Sequence, residues 1–162
     1  MPTVFVDTVA WIALLNISGG LHTPAQQVMH DVRQQNVQLV TTEFVLIEVA
    51  DALSAPSIRA HTVTFINGLR QLAILHIIPA NPGLLADGWT LYSQRPDKEW
   101  GWADCTSFVV MTQEHMTLRS SFLTLSLARY RKTHVRCLET SLRFHACPSR
   151  YQSRLACGGY AR

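Results

Sequence analysis

The sequence predicts an α/β fold on a short parallel sheet, and three observations carry that prediction. First, brief β-branched and apolar runs at residues 3–6, 38–41 and 73–78 read as buried strands. Second, each run is followed by one or two longer stretches with apolar residues at helical spacing. Third, capping residues and prolines stand where strand would hand over to helix. Strands that alternate with helices in this way pair in parallel, because each return to the sheet needs a helical crossover.

The elements follow in order. TVFV, residues 3–6, is a strand that ends at Asp7, and residues 8–16 form a short helix with Trp11, Leu14 and Leu15. Gly19-Gly20-Leu21-His22 is loop. Thr23-Pro24 pairs an N-cap with proline at the first helical position and predicts a helix over 24–35. After the strand at 38–41, Thr42 caps a helix from Glu43 to about Ser54, stopped by Pro56. Residues 56–71 are a further helix. AILHII, 73–78, is a core strand closed by Pro79, and Asn81-Pro82 repeats the cap-plus-proline signal before a helix over 82–94. A polar loop at 94–101 leads to an apolar helix from Trp102 to about His115, with Asp104 in its first turn.

With 162 residues, 48% of them hydrophobic, the chain has the length and composition of an ordinary globular domain. The longest apolar runs, 4–15 and 73–79, are too short to span a membrane, and the first contains Asp7. The N-terminus has no basic region or cleavage signal, so a cytoplasmic location is expected. Cys105, Cys137, Cys147 and Cys157 form no Cys-x-x-Cys pair and match no zinc spacing. The net charge of +3 conceals a split. Residues 1–115 carry five Lys/Arg against ten Asp/Glu, a net of −5; residues 116–162 carry nine against one, a net of +8.

Asp7 poses the chemical question. A carboxylate in VFVDTVAWIALLN, apolar on both sides, needs a cation, hydrogen-bond donors or water to offset its desolvation. Glu48, in TTEFVLIEVADAL, and Asp104, in WGWADC, are likewise set in apolar sequence. In an open parallel sheet, ligands gather beyond the carboxyl ends of the strands. If the three acids meet there, a Mg²⁺ or Mn²⁺ ion offsets their mutual cost, since carboxylate oxygens are hard ligands. Such an ion also promotes phosphodiester cleavage. Each acid has a plainer reading: Asp7 as a helix cap, Glu48 as a solvent-facing helical residue, Asp104 as a first-turn acid favoured by the helix dipole. Glu43, Asp51, Asp87, Asp97 and Glu99 are expected in solvent. The seven histidines show no ligand or triad spacing, and no Gly-rich phosphate loop occurs.

VFVDTVAWIALLN, TTEFVLIEVADAL and WGWADCTSFVVM together resemble, in order and spacing, the first three signature segments of PIN-domain ribonuclease toxins from bacterial toxin–antitoxin pairs (the VapC-like type). The resemblance covers about residues 3–115. It implies a Rossmann-like α/β/α sandwich and a Mg²⁺- or Mn²⁺-dependent endoribonuclease that has an antitoxin partner and forms homodimers. It matches Asp7, Glu48 and Asp104 to the family's acidic residues, with Asp7 and Asp104 as the direct metal ligands and Glu48 completing the pocket. Thr8 and Ser107 then stand where a hydroxyl would orient water or ligands. The alternative is a catalytically impaired PIN module that acts only by binding a protein such as an antitoxin.

The domain is therefore expected over 1–115, with a basic, poorly ordered tail over 116–162. That tail departs from the resemblance. The family supplies a further strand, a fourth acidic residue and a closing helix, whereas Met116 to Arg136 contains no Asp or Glu and only Ser121–Leu127 reads as a weak strand. Our hypothesis is that the Ser/Arg/Cys-rich ending comes from a shifted reading frame, leaving the fold incomplete at its C-terminal end, with an exposed sheet edge and reduced activity. Nucleotide sequence decides it: the idea fails if the other frames from near codon 115 encode no apolar strand with a nearby acid. An RNA-binding role for the tail is disfavoured, since its arginines are dispersed and its aromatics form no platform motif. Two other α/β enzymes or switches are demoted. A haloacid-dehalogenase-type phosphatase needs an acid where Val9 stands, and IIPANPG after the third strand lacks a receiver domain's aspartate.

Overall fold

The computed structural model describes residues 3–116. Three strands form one parallel sheet in the order β1-β2-β3: β1 (Thr3–Phe5), β2 (Gln38–Thr42) and β3 (Leu75–Ile78). Val4 pairs with Leu39, and Val40 pairs with His76, so all three carboxyl ends lie on the same side. The connections are helical, as parallel pairing demands: α1 (Thr8–Leu15) and α2 (His22–Gln34) between the first two strands, α3 (Glu43–Ala52) and α4 (Pro56–Arg70) between the next two. Then α5 (Pro82–Gln94) and α6 (Trp102–Gln113) follow β3. This is the α/β architecture expected from the sequence.

Two predicted caps are present as hydrogen bonds. Thr42 Oγ1 accepts from the Val45 amide at 3.1 Å, and Asn81 Oδ1 accepts from the Leu84 amide at 2.9 Å, each satisfying one orphan donor of a first turn. The Thr23-Pro24 signal is displaced. The helix opens two residues earlier, at His22, whose Nδ1 lies 3.0 Å from the Ala13 carbonyl oxygen and pins α2 to α1. Pro24 still sits in the first turn, where its missing N–H costs nothing. The strand predicted over 73–78 is shorter, since Ala73 and Ile74 lie in the turn that closes α4.

The core is a single cluster that includes Val4, Phe5, Val6, Trp11, Leu39, Val40, Val45, Val49, Cys105, Phe108 and Val110. Trp11 is fully buried and meets Phe65 of α4 edge-on, with centroids 6.1 Å apart. Where α5 crosses α6, Gly88 lets the helices approach closely: a Cβ there would stand 2.6 Å from Thr106 Cγ2. Met116 is also buried in the core, one residue past the expected domain boundary. No described helix is long and apolar enough to cross a membrane. The tail beyond Met116, its candidate strand at 121–127 and the proposed frame shift lie outside the described residues.

Candidate functional site

The β1–α1 junction is held by two polar groups of β2, one of them bonded in turn to Trp11 of α1. Val6 extends the β1–β2 ladder, its amide donating to the Val40 carbonyl at 2.8 Å. The Val6 carbonyl then accepts from Thr41 Oγ1 at 2.8 Å, and that hydroxyl in turn accepts from Trp11 Nε1 at 3.3 Å. Thr41 and Trp11 are both fully buried, so this relay satisfies polar groups that would otherwise be stranded in the core. Asp7 follows Val6 directly. It occupies the N-cap position of α1 with extended backbone, yet its side chain makes no cap hydrogen bond. The helix-cap reading of Asp7 is thus not what its carboxylate does; the carboxylate sits half-buried at the carboxyl end of the sheet.

Glu48 reaches the same junction from α3. Thr8 Oγ1 donates to Glu48 Oε2 at 2.7 Å, a short charge-assisted bond. Glu48 is half-buried rather than solvent-facing. Asp104 stands in the first turn of α6. That helix crosses α5: Trp102 Nε1 donates to the Leu85 carbonyl at 3.2 Å, Thr106 meets Gly88, and Gln113 Nε2 donates to Asp87 Oδ2 at 3.4 Å. Asp104 Oδ2 accepts from the Gly101 amide at 2.7 Å, so the first-turn role considered from sequence is present. Ser107, one turn on, is buried, and its Oγ has no hydrogen-bond partner among the described residues.

The acids do not close into a complete ligand set. Among the described residues, no group of three or more His, Cys, Asp or Glu side chains is placed to hold a metal ion. What the fold brings together is the Asp7–Thr8 junction and Glu48. Glu48 and Asp104 each spend one carboxylate oxygen on a protein hydrogen bond, and each has a second. Hard oxygen donors of this kind suit Mg²⁺ or Mn²⁺. The buried Ser107 hydroxyl, without a partner among the described residues, is a further oxygen on the same helix as Asp104.

Asp104 also acts on its neighbour. Burial pushes the Cys105 thiol up to about 11, and the adjacent Asp104 carboxylate adds in the same direction. Cys105 is a protonated core residue, not a nucleophile.

One acid was misplaced by sequence reasoning. Glu43, expected in solvent, is half-buried, and its Oε2 accepts from the Ala80 amide at 3.0 Å. It thereby ties the carboxyl end of β2 to that of β3. Asp51, Asp87, Asp97 and Glu99 are exposed as expected. Asp97 is clasped by Arg95 at 2.8 and 3.0 Å and reached by Lys98 at 3.3 Å, which holds its carboxyl well below the usual range. Thr41 was also missed, because a threonine within a β-branched run reads simply as strand. The available signal was its polarity in an otherwise apolar strand.

No protein-family model matches the sequence, and no curated protein matches it. Among solved structures, the fold is similar to that of VapC20 from Mycobacterium tuberculosis, a Sarcin-Ricin loop cleaving toxin. The TM-score is 0.62 at 22% identity, over 70% of this chain and 84% of that one. The likeness places the described residues in a PIN-like fold.

Proposed function

We propose that this PIN-like chain is a divalent-metal-dependent endoribonuclease, the toxin of a toxin–antitoxin pair. The observation that carries the reading is the β1–α1 junction, where Asp7 follows the first strand and its neighbour Thr8 binds Glu48 of α3. Asp104, in the first turn of α6, is the third acid of this reading. The likeness of fold to a ribonuclease toxin supports it.

In this reading Asp7 and Asp104 hold Mg²⁺ or Mn²⁺, and Glu48 completes the pocket through its second oxygen. The bound cation supplies Lewis-acid stabilisation of charge on the phosphodiester. Thr8 fixes the Glu48 carboxylate, which removes one of its rotamers from play before substrate arrives. Ser107 orients a water through its otherwise unpartnered hydroxyl. The substrate is RNA and the protein partner an antitoxin; a homodimer is the expected assembly. The neighbour's target makes a sarcin–ricin loop RNA the first substrate to assay.

The test is RNA cleavage by the purified chain with Mn²⁺ or Mg²⁺, set beside EDTA and Asp7→Asn. Cleavage that vanishes in both controls supports the reading; cleavage that persists in Asp7→Asn overturns it. One observation favours a second reading, the impaired module that only binds a partner: the acids do not enclose a ligand set among the described residues. That reading predicts no metal-stimulated cleavage together with a stable complex with the antitoxin.

A further inference from the structure

The α2–β2 and α4–β3 turns border an open cavity of about 270 Å³. Arg33, Asn36 and Val37 line it from one turn, and Leu72, Ala73 and Ile74 from the other. Val37 directly precedes β2 and Ile74 directly precedes β3, so the cavity lies at the amino ends of the strands, whereas Asp7 follows a carboxyl end. The lining is largely apolar: Val37 is buried, and Leu72 and Ile74 are half-buried. Its polar groups are unengaged. Of the five arginines and lysines before the tail, Arg95 and Lys98 hold Asp97, and Arg59 donates to the Ser54 carbonyl. Arg33 makes no hydrogen bond or ion pair among the described residues. The same holds for the Asn36 carboxamide and for the backbone N–H groups of Ala73 and Ile74. Asn36 itself has φ of 51°, the left-handed conformation that asparagine tolerates at the end of a helix.

We propose that this cavity binds a carboxylate borne on a short aliphatic body, the chemistry shared by an apolar peptide C-terminus and a free short-chain acid. The Arg33 guanidinium is a planar fork of donors that matches a carboxylate, and the Asn36 carboxamide adds another donor. Val37, Leu72 and Ile74 match the aliphatic part, which a phosphodiester would leave uncovered. The volume limits that part to a few carbons, since drug-sized ligands fill about 300–1,000 Å³. The C-terminal ends of α2 and α4 oppose an anion here, and Arg33 stands in the last turn of α2. The dipole of a solvated helix end shifts affinity less than a charge-assisted hydrogen bond does, so the guanidinium prevails.

The experiment titrates the full chain with N-acetyl-leucine, with isovalerate and with the neutral N-acetyl-leucinamide, followed by amide NMR shifts. Both acids are expected to give saturable shifts centred on Asn36, Ala73 and Ile74. The neutral amide should bind at least roughly tenfold more weakly than N-acetyl-leucine. Arg33 is exposed, so Arg33→Gln should keep native circular dichroism while binding the acids about tenfold more weakly. Tighter binding of N-acetyl-leucine than of isovalerate assigns the site to a peptide C-terminus; equal or tighter binding of isovalerate assigns it to a free acid. The absence of saturable shifts with either acid overturns the site. So does equal binding of N-acetyl-leucine and its amide, or unchanged affinity in Arg33→Gln. The cavity and Asp7 lie at opposite ends of the strands, so failure here leaves the nuclease reading to its own test.

Discussion

Thr8 and Glu48, forty residues apart in sequence, are joined by a 2.7 Å hydrogen bond from the threonine hydroxyl to the glutamate carboxylate. The bond locks α3 to the residue that follows Asp7. Thr8→Val keeps the shape and removes the donor. It is expected to cost about 1–2 kcal/mol in urea unfolding, the range for a lost bond to a charged group that is partly solvated. Metal-stimulated RNA cleavage should fall at least tenfold, and Thr8→Ser should restore most of it. Full activity in Thr8→Val would show that Glu48 needs no such support.

The relay from Trp11 through Thr41 to the Val6 carbonyl predicts a larger structural effect. Thr41→Val leaves the indole N–H without its acceptor in a fully buried site. The expected loss is about 1–3 kcal/mol, the desolvation penalty of a stranded donor. Chemical denaturation measures it, and a loss below a few tenths would mean that the relay is not a constraint.

Gly88→Ala pits two effects against each other. Alanine is favoured over glycine in a helix by about 1 kcal/mol. The added Cβ, however, would stand 2.6 Å from Thr106 Cγ2, and Thr106 cannot easily swing aside because its Oγ1 donates to the Ala103 carbonyl at 2.7 Å. The clash should win, with net destabilisation of about 1–2 kcal/mol. Combining it with Thr106→Ser, which deletes that methyl, should recover stability. Thermal denaturation of the two variants decides the point.

Cys105 gives a pH dependence. Its folded pKa, about 11, lies above the ordinary thiol value of 9.0, so the unfolded chain releases this proton first as pH rises. Stability from this group is therefore intact below about pH 9 and declines as pH climbs towards 11. Cys105→Ala should flatten that part of the stability–pH curve relative to wild type; an unchanged slope would contradict the assignment.

The sequence disclosed the fold where local signals agreed with tertiary demands. Thr42 and Asn81 could be read as caps because capping is a contact within four residues. Helix α5 kept its predicted bounds for the same reason. Thr23-Pro24 misled by two residues because the bond between His22 and Ala13, a tertiary contact, extended α2 backwards. The acids were legible as anomalies in apolar sequence, but their partners were not. Nothing local indicates that Glu43 would reach Ala80 or that Thr8 would reach Glu48. Asp7 shows the limit from the other side, since its position is that of a cap while its carboxylate does not serve as one.

The central claim is that Asp7, Glu48 and Asp104 share one divalent ion. Mn²⁺ titration of the full chain, followed by electron paramagnetic resonance of the free ion, tests it without relying on activity. The account predicts a single site per chain that weakens at least tenfold in each of Asp7→Asn, Glu48→Gln and Asp104→Asn. Mn²⁺ affinity that is unaffected by all three substitutions would contradict it.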